Sequence, residues 1–132
     1  MDNGAKKITV GSTELTVTLP GFAEREELIV AWHTASTREG GEMALRRVAA
    51  AALGLCTSTG RRAKVDYGAC GCCPLVYGGR VYEWLHGQKV AVSDILTAGA
   101  ELVTICVAAS FPRESEVAAT EDFFGAAAAK GT

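Results

Sequence analysis

The chain is short of most of what usually announces a function. Its 132 residues hold only 7% aromatics, 3 prolines and 2 histidines, and its charges nearly cancel to a formal net −2. A near-neutral balance gives no global attraction to nucleic acid or to an acidic membrane surface, so either role would need a local patch. The start, Met1-Asp2-Asn3-Gly4, has no basic region leading into an apolar run. No stretch reads as the roughly 18 to 20 apolar residues of a membrane span. A cytoplasmic protein is the expectation. Cysteine is present but odd in number, 5 in all. A disulfide scaffold expects secretion and pairing, so these are read as thiols, with Cys56 and Cys106 acting as small buried hydrophobes in helical stretches.

What the chain does have is 48% hydrophobic residues, carried largely by alanine and short aliphatics. That suits close helix packing in one core better than a broad sandwich, and the length suits one ordinary domain. The expected fold is mainly α (α+β): a short N-terminal β-hairpin followed by a bundle of about four to five helices. One helical domain covers 1–125, and a flexible Ala-rich tail covers 126–132.

Lys6-Lys7-Ile8-Thr9-Val10 and Thr13 to Leu19 alternate polar and apolar residues about Gly11-Ser12, the period of a half-buried hairpin. Two strands are marginal alone, so this hairpin must lie on the helices or pair with another chain. A first helix is expected from Phe22 to about Ser36, with Leu28, Ile29, Trp32 and Ala35 at helical spacing and Glu24, Glu26 and Glu27 crowding its start. A second runs from about Glu42 to Cys56. Residues 57 to 73 show no period and read as a long loop, either functional or mobile. A short helix over Val81 to Leu85 closes at Gly87. A longer one follows Val92 with Ser93 as N-cap and Ile95, Leu96, Leu102, Val103, Cys106 and Val107 as its buried stripe, where Gly99 permits a close crossing. A last amphipathic stretch spans Glu114 to Phe124.

Three constellations invite chemistry, and each has a plainer reading. Cys70, Cys72 and Cys73 form a single cluster, whereas a tetrahedral zinc site needs four ligands, usually from two knuckles, so no metal or other cofactor is expected. His33 and His86 read as helix-surface residues rather than partners of a nucleophilic cysteine, and no enzyme is expected. Arg46, Arg47, Arg61, Arg62 and Lys64 concentrate positive charge, but no interleaved aromatics accompany them, which favours a solvated face over nucleic-acid binding. The C-terminal third says more. Tyr77, Tyr82, Trp84, Phe111, Phe123 and Phe124 gather there beside Glu114, Glu116, Glu121 and Asp122. They make either a lid on the core or an aromatic groove with an acidic rim suited to a partner helix.

The order of pieces also resembles a known family. Phe22 with Glu24-Arg25-Glu26-Glu27-Leu28 and Trp32, an alanine-rich second helix, Tyr77-Gly78-Gly79-Arg80-Val81-Tyr82-Glu83-Trp84-Leu85 and the closing Glu116-Val117 to Asp122-Phe123-Phe124 are similar to the small tail assembly chaperones of long-tailed bacteriophages and prophage-like elements. The likeness is one of layout, length and local phrases over about 20 to 125. It implies a non-enzymatic factor of the host cytoplasm that coats the helical tape measure protein, keeps its apolar stripes from aggregating and helps deliver tail tube proteins; the hairpin's open edges offer a route to a homo-oligomer. The partner-binding residues expected on this reading are Tyr82, Trp84, Leu85, Phe123 and Phe124. The rival is a structural virion component, such as a head-tail adaptor or neck protein, in which the hairpin edge and residues 57 to 73 order on ring assembly. A third class, a cysteine-ligated metal protein or thiol enzyme, would be exposed by metal analysis.

Overall fold

The computed structural model describes residues 6–110. A two-stranded antiparallel hairpin, β1 (Lys7–Val10) and β2 (Thr13–Thr16), leads into five helices: α1 (Phe22–Thr37), α2 (Glu42–Cys56), α3 (Thr59–Ala63), α4 (Pro74–Gly87) and α5 (Val92–Ser110). The expected architecture, hairpin then helical bundle, is the one observed.

The hairpin turns on Gly11, whose φ of +65° suits a residue without a side chain at the first position of a tight turn. Its register pairs Lys7 with Thr16 and Val10 with Thr13, which sends Ile8 and Val10 inward to the core. β1 packs against α5, so the hairpin lies on the helices of its own chain. The second strand is shorter than its alternation suggested. The Val17 amide still donates to the Lys6 carbonyl (2.8 Å), but the Thr18 amide turns to the Cys56 carbonyl at the end of α2 (2.7 Å). That exchange satisfies an orphan helix carbonyl and ends the ladder.

α2 is the axle of the molecule. Val48 to Leu53 are wholly buried, with Cys56, and α1, α4 and α5 all pack on it. A helix surrounded on all sides must be thin, which is what Ala49 to Ala52 supply. Its neighbours answer with glycine at the crossings. A Cβ at Gly99 of α5 would stand 2.5 Å from the Cβ of Ala49, and one at Gly78 of α4 would collide with the carbonyl oxygen of Arg47. The close crossing expected of Gly99 is therefore present, and Gly78 makes a second. Further along, the Sγ atoms of Cys56 and Cys106 lie 3.8 Å apart, both fully buried. Their mutual hydrogen bond and burial hold the Cys56 thiol far above its ordinary range.

Residues 57 to 73 are not a loop. Thr57 Oγ1 lies 2.8 Å from Thr59 Oγ1 and accepts from the Thr59 amide at 3.1 Å, a side-chain turn that starts α3. A 3-10 turn over Gly68–Cys70 follows, and Tyr67 packs edge-on against Tyr77 with ring centroids 5.2 Å apart. The short polar residues that mimic a loop are here spent on turns and close packing, and only tertiary contacts reveal it.

Two helices also start earlier than their sequence implied. α4 begins at Pro74, where the fixed φ and missing amide of proline suit the first helical position, and it runs through Gly78-Gly79 because α2 presses on that point. α5 begins at Val92, with the Asp94 and Ile95 amides donating to the Ala91 carbonyl (3.0 and 3.1 Å), so Ser93 lies inside the first turn rather than capping it. At 19 residues α5 is also long and apolar enough to cross a membrane, which corrects the reading that no stretch is. Here its Ile95, Ala98, Leu102 and Cys106 face is buried in the core, and Val107, expected in that stripe, is exposed.

Candidate functional site

Of the five residues expected to hold a partner, the three that are described, Tyr82, Trp84 and Leu85, do not share a surface. Leu85 is 4% exposed and belongs to the core, a correction to its reading as a contact residue: it sits one turn after buried Val81, on the side of α4 that is pressed inward. Tyr82 and Trp84 are both half-buried against the core, but two residues apart on a helix means about 200° of rotation, so they flank the buried seam on opposite sides. Phe123 and Phe124 lie outside the described residues, as do Phe111 and the acidic stretch from Glu114 to Asp122.

Trp84 helps to line a cleft between the hairpin and α4, together with Val10, Thr13, Leu53, Thr59 and Val90. Arg62 of α3 lies over its ring, 5.4 Å from guanidinium carbon to centroid. At about 190 Å³ the cleft accepts one side chain, not a helix. The other aromatic of the group, Tyr77, is buried against Gly54 and Gly60, and burial pushes its phenol up to about 12.

A larger opening lies elsewhere. Val30 and Ala31 of α1 face Cys72, Cys73 and Pro74 across a shallow apolar channel, and Glu26 and Glu27 stand on one lip. Val30 is 63% exposed, the most open large hydrophobic among the described residues. It falls about 200° around the helix from Leu28, the residue α1 buries most fully, so it points away from the core. Leu75 and Val76, directly after Pro74, are exposed too.

The channel wall is tied in place. The hydroxyl of Tyr67 donates to the Glu27 carboxylate and lies 2.9 Å from the Cys72 carbonyl oxygen. Burial and the neighbouring Glu27 together hold the Tyr67 phenol well above its ordinary value. This clamp fixes the 72–74 turn against α1. Two residues before Glu27, in the first turn of α1, Arg25 donates from Nε to Ser110 Oγ (3.0 Å) and from Nη1 to the Pro20 carbonyl (2.9 Å), and its guanidinium covers exposed Phe22.

The cysteine cluster is dispersed by its turn. Cys70 is buried, Cys73 is half-buried and Cys72, at φ +52°, is exposed. Among the described residues no three His, Cys, Asp or Glu side chains converge as metal ligands. His33 and His86 are both exposed on their helices.

The sequence carried little signal for the channel. Leu28 to Trp32 are apolar on every side of α1, so Val30 stands apart only once Leu28 and Ala35 are seen to be the residues this helix buries. What could not be read was its other wall, because the 72–74 turn reaches α1 only through the Tyr67 clamp. Comparison of the chain with protein-family models, with curated proteins and with solved structures finds no match to any of them.

Proposed function

We propose that this chain is a non-enzymatic assembly chaperone of the phage tail type, holding a helical protein partner, the tape measure protein, during tail tube assembly. The observation that carries the reading is where the apolar side chains go. A core built so tightly around α2 nonetheless leaves Phe22 and Val30 of α1 and Leu75 and Val76 of α4 outside. Single exposed hydrophobics are ordinary, but Val30 shares an apolar channel with Ala31 and Pro74, and a shared apolar surface supports a contact role. The family resemblance in layout supports the same reading.

The test starts from the neighbouring genes: a long helical reading frame immediately downstream is expected, and its product is co-expressed with this chain. The expected result is that the partner stays soluble with the chain and aggregates without it. Mass spectrometry of purified particles should then find the partner and not this chain. Its presence in finished particles would instead favour a virion component such as a head-tail adaptor.

A further inference from the structure

We infer that the channel between α1 and the 72–74 turn is the docking groove, and that its occupant is a cationic amphipathic helix of another polypeptide. The inference rests on the chaperone reading for its setting but not for its geometry.

Charge selects among the possible occupants. Glu26 and Glu27 stand on the lip, and the only ion pair among the described residues is Lys7–Glu14, at the hairpin. The chain's own C-terminal stretch carries Glu114, Glu116, Glu121 and Asp122 against Arg113 and Lys130, a net charge of the lip's own sign, which disfavours it as the occupant. A second copy docking symmetrically would bring both acidic lips into one interface, since a two-fold axis places the same patch on both sides. A foreign helix bearing lysine or arginine beside its apolar stripe meets neither penalty.

Backbone chemistry selects the helix. Adding a strand needs an open row of amides and carbonyls. One wall of the channel is α1, whose backbone groups are spent within the helix, and in the other the Cys72 carbonyl already faces the Tyr67 hydroxyl. A helix brings its own main-chain bonds and asks only for apolar contact with Val30, Ala31 and Pro74. The clamp through Tyr67 holds the walls before binding, so little ordering cost remains at contact.

The experiment titrates purified full-length chain with a synthetic amphipathic helical peptide of leucine and lysine, and with its counterpart in which glutamate replaces every lysine. The lysine peptide should bind, more weakly as salt rises, and the glutamate peptide at least about tenfold more weakly. Val30→Gln, which adds no charge, should weaken the lysine peptide about tenfold or more while leaving helicity and melting unchanged, because that side chain is outside the core. Glu26→Lys should narrow the gap between the two peptides. Equal binding of both peptides, or full binding by Val30→Gln, overturns the groove. So does a wild-type dimer in sedimentation that Val30→Gln dissociates, since a second copy would then be the occupant. Co-expression separates this from the chaperone reading. A Val30→Gln chain that still solubilises the long helical partner sinks the groove alone, whereas failure of the wild-type chain sinks the chaperone.

Discussion

The middle of α2 and the outer side of α1 are built from similar small aliphatic residues, yet one is sealed and the other open. Around Ala49 to Ala52, glycines at 78 and 99 bring two helices so close that no Cβ fits. Around Val30 and Ala31 the nearest wall is a turn held off by a tyrosine clamp, and a channel remains. Apolar content therefore does not say what a helix does. The size of the residue opposite does: glycine closes the gap, and a turn braced at a distance keeps it.

The contrast can be broken most severely from the sealed side. Gly78→Val should abolish cooperative unfolding, because the new side chain meets the Arg47 backbone rather than a movable side chain, and overpacking that the surroundings cannot relax costs more than the usual 1 to 3 kcal/mol or so. Circular dichroism during denaturant titration reads this directly.

Next in size is an alkaline effect. The unfolded chain loses its phenolic protons near pH 10, while burial holds Tyr77 protonated to about 12. A raised folded-state value means stability is full below pH 10 and drains as pH climbs through that window, by about 1.4 kcal/mol per pH unit for each such phenol. Tyr77→Phe should remove its share of that slope, and denaturation midpoints at a series of pH values would check it.

Tyr67→Phe comes third. Losing the hydroxyl that links Glu27 and the Cys72 carbonyl should cost about 1 to 2 kcal/mol, and it should weaken peptide binding by loosening the channel wall. An unchanged affinity would show that the wall does not depend on the clamp. The smallest stability effect belongs to Val30→Gln, within about 0.5 kcal/mol by thermal melting, although its effect on capture is the largest. That pairing is the sharpest form of the contrast between the two regions.

Much of the fold was legible in the sequence because periodicity and turn chemistry act locally. Glu42 to Cys56 of α2 matches its expected bounds, and Gly11-Ser12 marks the hairpin turn. The failures share one cause. Gly78-Gly79 looks like a helix breaker and Thr57 to Gly60 like a loop until the neighbours that require small residues are known. Leu85 looked like a contact because its phrase is aromatic, yet its place in the α4 repeat assigns it to the core. The candidate channel was barely legible, since Leu28 to Trp32 are apolar all round α1 and the opposing turn is set by a contact 40 residues apart, from Tyr67 to Glu27.

Gly99 lies on Ala49 and Cys106 beside Cys56, the same spacing of 50 residues at both points, so α5 runs alongside α2 in the same direction. During synthesis the alanine helix leaves the ribosome long before the segment that covers its last bare flank. Until Ser110 has emerged, the nascent chain carries an unsheathed, sticky rod, and a protein that we propose shields others passes its own first moments in need of a shield.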